Sequence, residues 1–145
     1  MTYQPNIKLL NGKQHIFCDW RRKFVRLTPE EWVRQNILHS LVEDFHYPSA
    51  MLAVEQPIRV GSVQKRCDAV IYSPTLRPVC IVEFKAESVK LTQEVFDQVA
   101  VYNRSLQVDN LLISNGVTTC FCRVQPSTYQ ILEAIPTYND LCRNK

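Results

Sequence analysis

The spacing of hydrophobic positions changes several times along the chain, and each change predicts an element. Apolar residues recur at Val33, Ile37, Leu38, Leu41, Val42 and Phe45, which is helical spacing. Thr28 suits the N-cap of that helix, Pro29 its first position, and Glu31 lies three residues past the cap. Pro48 ends it. Strand-like runs follow at Met51 to Arg59, Lys65 to Tyr72 and Pro78 to Lys85. The short gaps, with turn chemistry at Ser73-Pro74, predict an antiparallel meander. Thr92 to Leu106 returns to helical spacing. Leu111 to Ser114 and Thr118 to Val124 then flank Asn115-Gly116, a dipeptide suited to a tight hairpin, and Tyr129 to Ile135 adds an edge strand. This order predicts an α/β domain over residues 28–135, a central mixed sheet flanked by helices. Residues 1–27 read as an irregular arm with a short strand near His15–Asp19, and residues 136–145 as a tail. The arm mixes Lys13, Arg21, Arg22, Lys23 and Arg26 with Ile16, Phe17, Trp20 and Phe24. Its cations read as a solvated surface, with phosphate contact as the alternative.

Composition narrows the class. A chain of 145 residues, 46% apolar and 21% charged, can build one core and is not a disordered segment. With 3 Gly it is not collagenous, and no apolar run approaches the ~20 residues of a membrane helix. Met1 to Asn11 lacks the pattern of a signal peptide, so a cytoplasmic protein is expected. Cys18, Cys67, Cys80, Cys120, Cys122 and Cys142 include no C-x-x-C pair, and His15, His39 and His46 do not flank them at zinc-ligand spacing. They read as free thiols. A net charge of +3 allows an anionic partner without requiring one.

Polar residues interrupt the apolar pattern in three places. On the first helix Arg34 projects onto the centre of the apolar arc, with Glu31 and Gln35 toward one side. Either this end of the helix passes the sheet into solvent, or it lines a polar cleft. The run Val79 to Lys85 is apolar until Glu83 and Lys85, which share a strand face. Asp68 interrupts the preceding run amid Cys67, Ala69, Val70 and Ile71. If those strands pair as a hairpin, Asp68 and Glu83 lie close on one face. Two such carboxylates repel unless a cation sits between them, and a hard divalent ion with oxygen ligands, Mg²⁺ above all, answers that. On the second helix Gln98 stands four residues from Tyr102, at the edge of an apolar face.

The stretches R-C-D-A-V from Arg66, V-C-I-V-E-F-K-A from Val79 and F-D-Q-V-A-V-Y from Phe96 together resemble the PD-(D/E)xK nuclease superfamily. Asp68, Glu83 and Lys85 match its D…ExK signature, Gln98 and Tyr102 its QxxxY motif, and Glu31 its first-helix acid. Cys67 stands where the signature has Pro. More narrowly, the chain is similar to the N-terminal nuclease domain of type I restriction enzyme R subunits, in a small stand-alone form. The resemblance implies a restriction-endonuclease-like core and hydrolysis of DNA with Mg²⁺ or Mn²⁺, in restriction or repair. It implies that Asp68 and Glu83, the carbonyl of Phe84 and Glu31 hold metal, and that Lys85 acts on the attacking water. Gln98, Tyr102, Arg34 and Gln35 would position substrate. The implied partners are DNA, other subunits for translocation or target choice, and a second copy of the chain, with no membrane. There is no G-x-x-x-x-G-K-[ST] loop, so no motor is expected in this sequence.

Two other readings compete. One is a non-catalytic nucleic-acid-binding or assembly module on the same fold, against which the intact set Glu31, Asp68, Glu83 and Lys85 counts. The other is a small-molecule or metal-binding α/β protein, which salt-dependent DNA binding would separate.

Overall fold

The structure is a computed structural model that describes residues 2–143. Position 1 of the expected arm and positions 144 and 145 of the expected tail lie outside the described residues. Nine strands, β1 to β9, and three helices, α1 to α3, are formed among them.

The N-terminal residues are folded: the short strand expected near His15–Asp19 is present as part of the strand Lys13–Cys18, and the rest of the expected irregular arm is corrected. β1 (Ile7–Leu10), β2 (Lys13–Cys18) and β3 (Lys23–Arg26) make a three-stranded antiparallel sheet. Asn11 and Gly12 join β1 to β2 with φ of 52° and 75°. Two positive φ values in a two-residue loop make the type I′ hairpin turn, for which Asn-Gly is the favoured pair.

α1 (Pro29–Glu43) starts at Thr28, whose hydroxyl accepts the Glu31 N–H at 3.0 Å. It ends before Phe45, which is exposed rather than on the buried arc. β4 (Leu52–Val60), β5 (Val63–Tyr72) and β6 (Pro78–Phe84) form the expected antiparallel meander. α2 (Gln93–Leu106) crosses over to β7 (Asn110–Ser114), which pairs parallel with β6. β8 (Thr119–Val124) and β9 (Tyr129–Leu132) complete a six-stranded mixed sheet in the order β4-β5-β6-β7-β8-β9. The fold is therefore the α/β architecture read from the pattern.

One sheet face packs against Val33, Leu38 and Leu41 of α1, the other against Val95 and Val99 of α2. Covered on both sides, β7 is buried at every position and β6 at all but the first, which is why both read as nearly continuous apolar runs. The β7–β8 turn abuts α1. A Cβ at Gly116, whose φ is +86°, would lie 3.2 Å from Val33 Cγ2. The expected tail also packs inward: α3 (Tyr138–Leu141) buries Leu141, and the Tyr138 hydroxyl donates to Tyr72 O at 2.7 Å. All six cysteines are free. No helix among the described residues is long and apolar enough to cross a membrane.

Candidate active site

The polar exceptions of α1, β5 and β6 meet at one end of the sheet. β6 carries Glu83 to the α2 side, because Cys80, Val82 and Phe84 pack toward α1. One residue beyond the strand, the Lys85 N–H still donates to Ser114 O at 2.9 Å, so the end of β6 stays fixed to β7. On β5, the register Ala69↔Val82 leads to Asp68 beside Glu83. Asp68 Oδ2 accepts the Phe84 N–H at 2.8 Å.

The neighbouring pairing breaks at this level. Val54↔Ala69 and Gln56↔Cys67 are partners, with Glu55 between them at φ +53°. On one side of that break Val54 and Ala69 belong to the α1 cluster, and on the other Ile58 and Cys67 belong to the α2 cluster. The hairpin thus turns over at Glu55 and Asp68, and Asp68 becomes reachable from α1. Arg34 reaches it: Nη2 lies 3.1 Å from Asp68 Oδ1, and Nη1 lies 3.0 Å from Glu31 Oε1. Gln35 Nε2 donates to Glu31 Oε2 at 2.9 Å, and Arg21 Nη2 to the same oxygen at 2.5 Å. Arg21 and Arg34 also approach Glu55 Oε1, at 3.4 and 3.7 Å. A cleft of about 500 Å³ opens over this network, between Arg21, Arg26, Glu31, Arg34, Glu55 and Ala86.

Electrostatically the site carries excess acid. Burial, then the neighbouring Asp68 carboxylate, push the Glu83 carboxyl up to about 8, while Lys85 opposes them. Glu83 is 8% exposed, and its Oε2 is buried without a hydrogen-bond partner. Burial raises the Tyr102 hydroxyl to about 12, with Glu83, Cys67 and Asp68 adding to it. Glu30 is raised by its own burial and by Asp68.

The structure brings Asp68, Glu83 and Lys85 together with Glu31 and Arg34, and places Tyr102 within reach of the carboxylates' field. Five other expected site residues, Arg34, Gln35, Glu31, Gln98 and Phe84, have these surroundings. Gln35 is fully buried behind Glu31, and Arg34 is buried between Glu31 and Asp68 at the wall of the cleft, so both hold the acids. Glu31, expected to hold metal, has both oxygens engaged by Arg21, Arg34 and Gln35. Gln98 is exposed on α2, and the Phe84 contact seen is its N–H on Asp68, not its carbonyl. Sequence reasoning did not include Arg21, Glu30 or Glu55 in the site. Glu55 had a readable signal, an acid in the middle of an apolar strand run, as did Glu30, the acid adjoining Glu31.

The donor set suits a hard cation. Among the described residues no three Asp, Glu, His or Cys groups converge as a closed metal cage. Mg²⁺ does not need one: it binds through one or two carboxylates and keeps waters or phosphate oxygens for the rest. Asp68 and Glu83 supply two adjacent carboxylates, and Glu83 Oε2 is buried without a hydrogen-bond partner.

No curated protein matches the sequence. A solved structure of a DUF820 protein from Anabaena variabilis ATCC 29413, described as a candidate nuclease, aligns with a TM-score of 0.49 over 88% of each chain at 10% identity. At that likeness nothing is carried over from it. The sequence itself matches, over residues 29–136, the family described as type I restriction enzyme R protein N terminus (HSDR_N). That match spans α1 through β9, hence every acidic group of the site, and the chain belongs to this family.

Proposed function

We propose that this protein is a Mg²⁺- or Mn²⁺-dependent nuclease of the PD-(D/E)xK type that hydrolyses DNA phosphodiester bonds, in a restriction or repair setting. The observation that carries the reading is the abutting pair Asp68 and Glu83, with one buried, unpartnered oxygen and Lys85 beside it. Family membership supports it. Asp68 and Glu83 would hold the ion, with the Phe84 carbonyl as a further ligand. When bound, the ion supplies Lewis acidity toward a phosphoryl oxygen and toward water. Lys85 orients the attacking water and faces the charge that develops on the phosphate. Tyr102 and Gln98 orient the phosphate or Lys85. Arg34 fixes the Asp68 carboxylate and, with Arg21 and Gln35, keeps Glu31 in place. Translocation and target choice fall to partner subunits.

One observation favours a second reading, a non-catalytic nucleic-acid-binding module: Arg34 already compensates Asp68, and Glu31 is saturated by donors. Cleavage assays separate the two. Linear, nicked and single-stranded DNA are incubated with Mg²⁺ or Mn²⁺, using wild type, Asp68→Asn and Glu83→Gln. Cleavage by wild type alone supports the nuclease. If the wild type cuts none of them, autonomous activity is refuted and the binding module takes its place.

A further inference from the structure

The nuclease reading leaves most cations of the N-terminal sheet unused. Residues 1–28 carry six cations, Lys8, Lys13, Arg21, Arg22, Lys23 and Arg26, against one acid, Asp19. Residues 29–145 carry eleven against thirteen. The positive charge of the chain is therefore concentrated in β1–β3 and its connections, ahead of the segment that matches the family.

Strand register sorts these residues by face. Lys8, His15 and Arg26 form one row across the three strands. Phe17 and Phe24 form the next row on the same face, and Leu10 and Lys13 the row on the other side. The opposite face holds Ile16 and Cys18, both fully buried, so the face with the cations looks outward. Lys8, Lys13 and Arg26 are exposed, and none has an acidic partner among the described residues. The two phenylalanine rings meet edge to face with centroids 5.2 Å apart, and Lys8 Nζ lies 4.0 Å from the Phe24 centroid. Both rings are half-buried and belong to neither core cluster. At one corner of this face Arg26 reaches the cleft that also holds Glu31 and Arg34.

We propose that the outward face of β1–β3 binds a single strand of nucleic acid, with Lys8, Lys13 and Arg26 on phosphates and Phe17 and Phe24 against bases. Cations suit any polyanion, but aromatic rings among them add affinity only where base faces are free, which a duplex hides. Arg26 makes the surface continuous with the cleft, so a bound strand leads toward Glu31 and Arg34, the partner of Asp68. The inference goes beyond the nuclease reading, because it concerns binding without metal or cleavage.

The test is fluorescence anisotropy in EDTA, with a labelled oligothymidylate and a duplex of equal length. The wild type should bind the single strand more tightly. Lys13→Ala and Arg26→Ala should each lower the slope of log affinity against log salt by about 0.7. Phe24→Leu should weaken single-strand binding by roughly 5- to 100-fold and leave duplex binding nearly unchanged, while Phe24→Tyr, which keeps a ring, should restore it. Thermal unfolding of each variant checks that the sheet is intact, and Phe24→Tyr keeps the test decisive if Phe24→Leu unfolds. No wild-type binding at low salt overturns the proposal. So does unchanged affinity in the folded variants, or equal affinity for polyglutamate or phosphatidylserine vesicles. Binding in EDTA, with no cleavage in the separate Mg²⁺ and Mn²⁺ assays, would uphold it while ending the reading as an autonomous nuclease.

Discussion

Arg34 and Asp68, 34 residues apart in sequence, form an ion pair at 3.1 Å across the junction of α1 and β5. The same guanidinium holds Glu31 at 3.0 Å, so one buried cation compensates two acids on different elements. A fork with fixed donors can do this, whereas a lysine ammonium cannot reproduce it.

Removing that cation should therefore be costly. Arg34→Met leaves Glu31 and Asp68 short of a partner in a largely buried setting, and such losses run to about 3–5 kcal/mol. The expected outcome is a markedly lower denaturation midpoint in EDTA, with partial recovery on adding Mn²⁺, which supplies positive charge beside Asp68. Chemical denaturation with and without Mn²⁺ checks this. A midpoint equal to wild type would show that the pair does not support the fold.

Glu83→Gln should act in the opposite direction in the metal-free protein. The folded state holds the Glu83 proton up to about pH 8, whereas an unfolded glutamate releases it near its ordinary value of 4.5. Between these values the native state binds more protons, so the contribution of Glu83 to stability declines as pH rises through the window. Gln does not titrate. The variant should thus gain stability relative to wild type as pH goes from 5 to 8.5 in EDTA. A midpoint difference independent of pH would contradict the assignment.

His39 gives a pH dependence of the other sign. Its ring stacks on Tyr3 at 3.7 Å and meets Trp20 edge-on at 4.9 Å. Nε2 is buried, and Asp19 Oδ2, at 3.1 Å, lies within ion-pair distance without meeting hydrogen-bond geometry. Burial lowers the pKa of the ring, with Asp19 and then Glu43 only partly offsetting it. An unfolded chain binds this proton first as pH falls below about 6.5, so His39 weakens the native state there. His39→Gln should lose less stability than wild type between pH 7 and 5. Urea midpoints at the two pH values decide it.

These relationships show which features a sequence can display. The helix α1 was legible because a capped apolar period of fifteen residues has few alternatives, and the β4–β8 order followed from runs separated by recognisable turns. The small sheet β1–β3 was not, because cations stand on its outer face and short exposed strands show no clear alternation. Its Asn11-Gly12 turn nonetheless carries the same signal as Asn115-Gly116. Asp68, Glu83 and Lys85 stood out as polar breaks in apolar runs. Their neighbours did not: Arg21 is placed by the connection from β2 to β3, of which only a strand near β2 was expected, and Glu55 by a positive φ that its residue type disfavours. Sequence spacing also cannot choose among acids for a buried arginine, and so Arg34 read as a substrate contact rather than the partner of Asp68.

Lys85 offers the sharpest separation between chemistry and structure. Its backbone N–H, not its side chain, ties β6 to β7 through Ser114 O, so Lys85→Ala should leave that link and the fold in place. Its side chain lies close enough to Glu83 and Glu30 to oppose the rise of both pKa values. Loss of the ammonium removes a cation that competes with a divalent ion for the same acids. Mn²⁺ affinity, measured by calorimetry, should therefore hold or increase in the variant. Turnover should move the other way: a group that stabilises charge only in the transition state is commonly worth about 10²–10³ in kcat. KM for DNA should change little. A merely structural lysine would weaken metal binding and turnover together. Parallel loss of both in Lys85→Ala, with an unchanged unfolding temperature, would remove Lys85 from the chemistry and leave Asp68 and Glu83 as a cation site alone.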